Sequence, residues 1–274
     1  MPRATSRLAE FQIEHISMTA LYSCLRDKAV FITGGATGIG ATMVRTFVQQ
    51  GCHVAFIDLN AEAGAALLAE LQAELPAERA SFAAVDVTDV QALQQAIETA
   101  AQLFGRLDVL VNNVANDQRM PTAQVTPANW RQCHAVNLDA AFFATQVALP
   151  FLQQQASASV INFSSVVAVT GKVDMAGYVT AKAGLIGLTK ALAREAGAHG
   201  VRVNAVLPGW VRTERQLNSW FTPEQQQRWL EDSALKRFIQ PEDVANLALF
   251  LASEQSLMIT GQAIQIDGGI SLSD

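Results

Sequence analysis

The chain has 274 residues, of which 50% are hydrophobic and 16% charged, and its formal net charge is −6. This composition supplies enough apolar area for a large core and too little charge for an intrinsically disordered chain. The negative net charge excludes the broad basic surface that binds a phosphate backbone, so we expect a small-molecule ligand and no nucleic acid. No Pro-, Ser- or Gly-rich linker separates the periodic segments, which favours one domain.

The N-terminal residues 1–27 differ in pattern from the segments that follow. Glu10, Glu14 and His15 interrupt the apolar core that a secretory signal needs. No apolar run approaches the ~20 residues that span a bilayer, so no membrane association is expected. We expect a flexible or loosely docked extension, or an upstream start codon ahead of Met18.

The cysteines Cys24, Cys52 and Cys133 are odd in number and widely spaced. They form neither a disulfide framework nor a CxxC metal pair, so no metal site is expected. Reduced thiols are typical of the cytoplasm, where we expect the protein to be located.

From residue 28 onward, short β-branched runs alternate with longer Ala-, Leu- and Gln-rich segments of helical period. The predicted strands are, in chain order, 29–33 (AVFIT), 53–57 (HVAFI), 80–85 (ASFAAV), 107–111 (LDVLV), 159–163 (SVINF), 201–206 (VRVNAV) and 262–266 (QAIQI). The alternation predicts an α/β fold over 28–274, a single-domain Rossmann-type doubly wound sheet of about seven parallel strands with helices on both faces. Residues 210–238 depart from the repeat and are predicted to be an insertion. Ligands of such sheets bind beyond the carboxyl ends of the strands.

A glycine-rich segment, "TGGATGIG" (33–40), follows the first strand and leads into a helix. Gly34 and Gly38 allow a tight turn and the close approach of a pyrophosphate to the backbone, and Gly40 lets the helix pack near the strand. The helix N-terminus offers unpaired N–H groups to phosphates. The segment therefore predicts a dinucleotide site, although an ordinary tight turn would use similar residues.

Asp58 ends the second strand, eighteen positions after Gly40. An acidic side chain there can accept both ribose hydroxyls of an adenosine and would repel a 2′-phosphate. Neither Thr37, a further expected cofactor contact in the glycine-rich segment, nor Leu59, beside Asp58, supplies a compensating cation. NAD is therefore favoured over NADP.

Polar residues also follow the third and fourth strands. Asp86 and Val87 follow the third, and Asn112 and Asn113 follow the fourth. Asp86, Val87 and Asn113 are expected beside the adenine and its ribose. Turn and helix-cap chemistry is the alternative explanation of the polar residues.

A tyrosine and a lysine, Tyr178 and Lys182, lie four positions apart on one face of a predicted helix. Two unit charges ~5 Å apart at an effective dielectric of ~20 interact by about 3 kcal/mol, so the lysine is expected to lower the phenol pKa by about two units. A positively charged oxidised nicotinamide would add to this shift and make Tyr178 a usable general base. Ser165, at the end of the fifth strand, could hydrogen-bond the same substrate oxygen; Ser164 is the competing serine, and the spacing favours Ser165.

These motifs together resemble the short-chain dehydrogenase/reductase family. "TGGATGIG", "DVTD", "NNVA", "INFSSV", "YVTAK", "LPGWVRT" and "IQIDGG" occur in family order with family spacing over 28–270. The resemblance implies that Asn137 holds a water in a proton relay, Ser165 orients the substrate oxygen, Tyr178 is the acid/base, and Lys182 binds the nicotinamide ribose while lowering the tyrosine pKa.

The resemblance also assigns cofactor contacts. Thr213 matches a position that contacts the carboxamide, and further cofactor contacts are expected at Ile39, Leu59, Pro208, Gly209 and Val211. One departure is visible, because the usual Asn-Asn-Ala-Gly reads Asn-Asn-Val-Ala, with Val114 and Ala115 at the last two positions. The backbone there could lie slightly differently around the cofactor.

Two polar segments border the expected nicotinamide end, residues 116–120 ("NDQRM") and 210–221 ("WVRTERQLNSWF"). Dense donors and acceptors beside aromatic platforms suit a polyhydroxylated ligand, whereas exposed loop polarity is the plainer explanation. The polar and aromatic residues concerned are Asn116, Asp117, Gln118, Arg119, Trp210, Arg215, Gln216, Asn218 and Trp220. Of these, Asn116, Arg119, Trp210, Arg215 and Gln216 are predicted substrate contacts with Ser165 and Tyr178, and Arg119 and Gln216 are preferred.

Both segments resemble those of bacterial aldose 1-dehydrogenases of the D-xylose, L-arabinose and L-fucose type. The resemblance implies NAD-dependent oxidation of the anomeric hydroxyl of an aldose to an aldonolactone. The alternatives are another alcohol or ketone, such as a 3-oxoacyl thioester, and a non-catalytic dinucleotide-binding protein. The family usually pairs its two long helices, here about 127–153 and 175–197, so a homotetramer is expected, with the apolar faces around Ala140, Phe143, Leu185 and Leu188 as the contact.

Overall fold

A computed structural model describes residues 20–74, 76, 79–219 and 222–272, although for 218 and 219 it describes the backbone alone. Over those residues the chain forms one seven-stranded sheet in the order β3-β2-β1-β4-β5-β6-β7, and every neighbouring pair is parallel. The strands are β1 Ala29–Thr33, β2 His53–Asp58, β3 Ala80–Ala84, β4 Val109–Asn112, β5 Ala158–Phe163, β6 Val201–Pro208 and β7 Ala263–Ile266. The predicted doubly wound sheet is confirmed, and its switch point lies between β1 and β4.

The helices cover both faces of the sheet. They are α1 Gly38–Gln49, α2 Ala61–Glu74, α3 Val90–Phe104, α4 Pro127–His134, α5 Ala140–Leu152, α6 Val167–Thr170, α7 Ala176–Ala196, α8 Glu214–Ser219, α9 Pro223–Asp232 and α10 Pro241–Ala252. Alternate residues of each strand serve the two faces. In β1, Ile32 packs with α1 and α10, whereas Phe31 packs with α3, α5 and α7. Apolar packing on both faces of the sheet fixes the positions of the strand ends, beyond which the site lies.

Strand limits differ from the prediction at a few ends. β6 runs to Pro208, two residues beyond the predicted end, because its last four residues pair with β7. β4 begins at Val109 rather than at residue 107. The preceding Asp108 is buried, and its carboxylate accepts the Ala29 N–H at 2.9 Å and the Arg106 guanidinium. The ion pair between the partly exposed Arg106 and the buried Asp108 therefore lies just before β4.

A single continuous helix runs from Pro127 to Leu152, with a π-turn over Ala135–Asp139 between α4 and α5. By length and composition it could cross a membrane, with a mean hydropathy of 1.4 over its most apolar window, although the sequence analysis expected no such segment. Ala144 and Ala148 of this helix are fully buried in the core beside β4 and β5. It therefore packs as a core helix of the domain.

The predicted insertion consists of α8 and α9. Thr222 caps α9 by accepting the Gln225 N–H, and Pro223 occupies its first turn. Trp220, one of the aromatic residues expected beside the substrate, lies outside the described residues, as does the side chain of Asn218.

The N-terminal extension is described only from residue 20, so most of the expected flexible segment 1–27 lies outside the description. Residues 20–27 contact the domain. Gln50 accepts the Tyr22 N–H at 2.8 Å and donates to the Ala20 carbonyl at 3.0 Å, and Leu25 is fully buried. This end of the extension is held against the domain.

Candidate active site

A cleft of about 1750 Å³ opens beyond the carboxyl ends of the strands. Every predicted site residue lines it except Asn137. The sheet topology explains this convergence, because the segments that follow β1, β2, β3, β4, β5 and β6 all end at the same edge.

The glycine segment needs glycine at three positions, where the backbone is closely packed or adopts a positive φ. A Cβ at Gly40 would lie 1.8 Å from the Gly34 carbonyl oxygen, and Gly34 and Gly38 adopt φ values of +67° and +54°. Thr37 precedes α1 but makes no side-chain cap within the described structure. The first N–H groups of α1 thus face the cleft beside bare backbone, and this arrangement fits the pyrophosphate of a dinucleotide.

Asp58 is oriented by backbone donors. Its two carboxylate oxygens accept the N–H groups of Ala36 and Asn60, each at 3.0 Å, so the carboxylate is tied to the glycine segment. A carboxylate retains further acceptor sites after two such bonds. The cleft-lining Arg45 is paired with both oxygens of Glu70 at 2.8 Å. Asp58 therefore fits a ribose diol at this end of the cleft.

Asp86 and Asn113 line the cleft, but both also hold the backbone. One Asp86 oxygen accepts the N–H and the hydroxyl of Thr88, which is turn chemistry. The Asn113 amide donates to the carbonyls of Thr33 and Gly34 at 3.1 and 2.9 Å, and so fixes the glycine segment. Both side chains therefore stabilise the local backbone, as the alternative of turn and cap chemistry predicts. A cofactor would contact the remaining side-chain oxygens of Asp86 and Asn113.

Tyr178 and Lys182 project from the first turns of α7 toward the end of β5. Ser165 interacts with the phenol of Tyr178 and lowers its pKa, and both side chains line the cleft. Ser164 instead donates to the Lys182 carbonyl at 2.7 Å and is buried. The geometry therefore brings Ser165 rather than Ser164 to the phenol, as the spacing favoured.

The Lys182 ammonium is 1% exposed and donates to the Phe163 carbonyl at 2.7 Å. It lies 5.7 Å from the centre of the Tyr178 ring. Burial lowers the pKa of Lys182 to about 7. Burial also raises the pKa of Tyr178, and the carboxylate of Asp117 adds to the increase.

The expected lowering of the Tyr178 pKa is therefore wrong, because burial raises this pKa. Desolvation of the phenol exceeds every opposing interaction, and Ser165 and Arg215 lower its pKa only in part. The sequence argument considered the attraction between the two groups but not the low-polarity environment that both share.

Asn137 lies in the π-turn, behind the cleft wall. Its side chain accepts the Asn116 N–H at 2.9 Å and donates to the carbonyls of Asn116 and Cys133 at 3.0 and 2.9 Å. π-Turns inside helices are frequent at functional sites. In the structure Asn137 fixes the segment after β4; its part in a proton relay stays a prediction.

Four residues at the substrate end bind one another, and we call them the clasp: Asp117, Trp210, Arg215 and Gln216. Arg215 and Gln216 donate to different oxygens of Asp117, at 2.6 and 3.1 Å, and Trp210 donates to the Gln216 carbonyl oxygen at 2.8 Å. The clasp joins the segment after β4 to α8. The polar groups that suit a polyhydroxylated ligand therefore partly satisfy each other.

A buried polar chain, which the sequence analysis did not identify, holds α7 against the sheet. Asn112 donates to Asn162 at 2.9 Å, and Asn162 donates to Thr189 at 2.9 Å. All three are at most 5% exposed. Asn112 and Asn162 occupy paired positions of two adjacent strands, and an asparagine near the end of each predicted buried strand could have indicated this chain from the sequence.

Residues 34–271 match the family described as enoyl-(acyl carrier protein) reductase. The chain is 42% identical over 246 residues to a protein of Rhizobium meliloti (strain 1021) named "Probable galactose dehydrogenase", covering 90% of this chain and 96% of that one. It is 41% identical over 252 residues to the D-xylose 1-dehydrogenase of Caulobacter vibrioides (strain NA1000 / CB15N), covering 92% and 98%. It is 36% identical over 246 residues to a 3-oxoacyl-[acyl-carrier-protein] reductase of Thermotoga maritima, covering 90% and 98%.

Solved structures agree with these sequence relatives. The ligand-free aldohexose dehydrogenase of Thermoplasma acidophilum superposes with a TM-score of 0.82 at 29% identity, covering 92% of this chain and 97% of that one. A 7α-hydroxysteroid dehydrogenase complexed with NADH and 7-oxo glycochenodeoxycholic acid superposes with a TM-score of 0.85 at 30% identity, covering 90% and 96%.

Proposed function

The chain belongs to the short-chain dehydrogenase/reductase family and is an oxidoreductase that acts on a CH–OH group, and on this premise we propose that it oxidises an aldose at C1 with NAD. The sugar would be D-galactose, D-xylose, L-arabinose, L-fucose or a stereochemical relative, and the product an aldonolactone that hydrolyses. The single observation that carries the choice of a sugar is the clasp, a charged and polar wall at the substrate end of the cleft.

NAD fits the other end of the cleft. Gly34, Gly38 and Gly40 would hold the pyrophosphate, and Asp58 would accept the ribose hydroxyls. The neighbour complexed with NADH supports a nicotinamide dinucleotide. When bound, the nicotinamide supplies the hydride acceptor of the reaction.

Three side chains of this chain would act on the substrate and the cofactor. Ser165 would hold the anomeric oxygen, and Tyr178 would take its proton as the C1–H bond gives up its electron pair and the C=O bond forms. Lys182, with N–H donors besides the one given to Phe163, would hold the nicotinamide ribose. Because burial raises the pKa of Tyr178, we expect oxidation to become faster as the pH rises into the alkaline range.

Two relatives support a sugar, since one is named a galactose dehydrogenase and the other a D-xylose 1-dehydrogenase, whose name specifies position 1. The 3-oxoacyl reductase is a relative at lower identity, so reduction of a 3-oxoacyl thioester is the second candidate. An acyl chain that entered this end of the cleft would desolvate the ion pair between Asp117 and Arg215 without replacing its water contacts.

A substrate panel tests the proposal. NADH production should be measured at 340 nm with D-galactose, D-xylose, L-arabinose, L-fucose and D-glucose, and acetoacetyl-coenzyme A should be offered with NADH and NADPH in the reverse direction. We expect turnover with at least one sugar and a lactone as the first product. Efficient reduction of the thioester with no sugar oxidised would transfer the assignment to the second candidate.

Cofactor preference is tested by the same assay with NAD and NADP. We expect kcat/KM to be higher with NAD, because the Asp58 carboxylate would repel a 2′-phosphate. Asp58→Ala should reduce that ratio, although it also removes the acceptor of the Ala36 N–H, so its melting temperature should be recorded as well. Equal kcat/KM values for the two cofactors in the wild-type enzyme would contradict this part.

We further propose a cytoplasmic homotetramer. Ala140 and Leu185, named in the sequence analysis as part of the contact, are buried within the single chain and cannot serve it. Phe142 is 39% exposed and stacks edge-on with the half-buried Phe143, and it supports a contact along α5 better.

A further inference from the structure

The hydrogen-bonding capacity left in the clasp differs sharply among its members. Each Asp117 oxygen accepts one bond, from Arg215 or from Gln216, whereas a carboxylate offers about four acceptor sites. The Asp117 side chain is 20% exposed, so those sites can be reached from the cleft. Asp117 therefore has acceptor capacity that the described residues do not use.

Arg215 has unused donors. A guanidinium carries five N–H donors, and the described residues take one of them, the 2.6 Å bond to Asp117. Its side chain is 58% exposed and lines the cleft. The ion pair thus presents an acceptor and a donor side by side.

Gln216 is different, because both ends of its amide are engaged. Its nitrogen donates to Asp117 and its oxygen accepts from Trp210. Within the described residues one N–H of the Gln216 amide and one acceptor site of its oxygen remain, but both ends of the amide are tied to protein partners. Gln216 is therefore placed to hold Asp117, and its contact with substrate stays a prediction.

The clasp lines the same cleft as Ser165 and Tyr178, so one substrate can contact both. Asp117 raises, and Arg215 lowers, the pKa of the Tyr178 phenol, and Asp117 also acts on the buried Lys182. Such effects require charges within electrostatic reach across a poorly solvated space. A pyranose held at C1 by Tyr178 and Ser165 would extend its other hydroxyls toward this end of the cleft.

We propose that Asp117 and Arg215 together recognise two adjacent hydroxyls of the sugar, one hydroxyl donating to the carboxylate and its neighbour accepting from the guanidinium, while Gln216 positions the carboxylate. The proposal rests on the proposed function, since it needs a substrate that carries a vicinal diol. It identifies the clasp as the part of the site that distinguishes a sugar from a simple secondary alcohol.

Deoxy sugars combined with variants test this pairing. The wild type and the variants Asp117→Asn, Arg215→Lys and Gln216→Ala would each be assayed with D-galactose and its 2-deoxy, 3-deoxy and 4-deoxy analogues, or with the D-xylose series if D-xylose is the better substrate. Glu195→Gln is the matched control, because this exposed carboxylate lies seventeen residues along α7 from Tyr178, about 25 Å at the helical rise.

A charge-assisted hydrogen bond predicts a loss of about 10- to 100-fold in kcat/KM for Asp117→Asn with the full sugar. The deoxy analogue that lacks the hydroxyl bound by Asp117 should show little further loss of kcat/KM in Asp117→Asn. The analogue that lacks the adjacent hydroxyl should likewise show little further loss in Arg215→Lys. Gln216→Ala should lower kcat/KM by a similar factor for every sugar. The control should stay within twofold, and KM for NAD should change less than twofold in all variants.

If Asp117→Asn and Arg215→Lys each lowered kcat/KM by the same factor for all four sugars, the proposal would be overturned, because neither side chain would then contact a particular hydroxyl. The lysine variant keeps the ion pair, so it gives an answer even if Asp117→Asn folds poorly. Absence of turnover with every sugar by the wild type would instead overturn the proposed function, and this inference with it.

Discussion

The burial of Lys182 should make the protein less stable at neutral pH than it would be with an apolar residue there. The pKa of Lys182 falls from 10.5 to about 7 in the folded chain because the ammonium is desolvated. A difference of about 3.5 pH units, at about 1.4 kcal/mol per unit, corresponds to about 5 kcal/mol. Between pH 7 and 10.5 the lysine is protonated in the unfolded chain but largely neutral in the folded chain, so the free energy of unfolding rises with pH across that window. Below pH 7 both states are protonated, and the burial of Lys182 lowers the free energy of unfolding by the whole of about 5 kcal/mol.

Lys182→Met removes the charge and keeps most of the side-chain volume. It also removes the bond to the Phe163 carbonyl, which costs about 1 kcal/mol. We therefore expect the variant to be more stable than the wild type by about 3–4 kcal/mol at pH 6, and to lose this advantage by pH 10. The same variant should have very low activity, since Lys182 would hold the cofactor.

Urea unfolding, followed by tryptophan fluorescence at pH 6, 7, 8, 9 and 10 and at one protein concentration, measures the difference. Lys190→Met is the control: Lys190 lies on the same helix but is exposed, so its replacement should change stability by less than ~0.5 kcal/mol at every pH. A difference between Lys182→Met and wild type that stays constant from pH 6 to 10 would refute the reasoning, because no proton would then be linked to folding at this position.

Four other outcomes can be checked directly. Tyr178→Phe should lower kcat by ~10²–10⁴ while NADH still binds with its usual fluorescence change; near-normal turnover would assign the base elsewhere. The Asp117 carboxylate raises the Tyr178 pKa and the Arg215 guanidinium lowers it. In plots of kcat against pH, the rising limb should therefore move to lower pH in Asp117→Asn and to higher pH in Arg215→Met. Shifts of both variants in the same direction would count against this explanation. Arg202→Met should destabilise the fold by about 3 kcal/mol or more, measured by urea unfolding, because it removes the guanidinium hydrogen bonds to the carbonyls of Leu251, Ala252 and Ser253 at the end of α10. Light scattering at micromolar concentration should give a tetramer mass, and a monomer mass would exclude that assembly.

The sequence was sufficient to predict the sheet and most of the cleft. Strands such as 29–33 and 53–57 carry short β-branched runs, and their alternation with helical segments leaves few topologies other than a doubly wound sheet. In such a sheet the carboxyl ends of the strands meet, so the residues that follow them meet as well. This is why Gly34, Asp58 and Ser165 could be placed in one cleft from their positions in the chain.

Spacing along a helix likewise placed Tyr178 and Lys182 on one face of α7, because four residues are close to one turn. It could not show the sign of the Tyr178 pKa shift. That sign depends on how much water the folded chain removes from the phenol, and on charges that approach from other segments.

Only the tertiary structure decided which polar groups of the substrate end bind each other. Asp117 and Gln216 are 99 positions apart in the chain, and the order of polar residues in either segment does not indicate that they meet. A hydrogen bond needs its donor and acceptor within about 3 Å and correctly aligned, and for groups on separate loops this is set by how both loops pack on the shared core. Residue type and spacing therefore identified the segments that line the cleft, while the packing of those segments determined that the described residues engage both ends of the Gln216 amide and leave acceptor sites on Asp117.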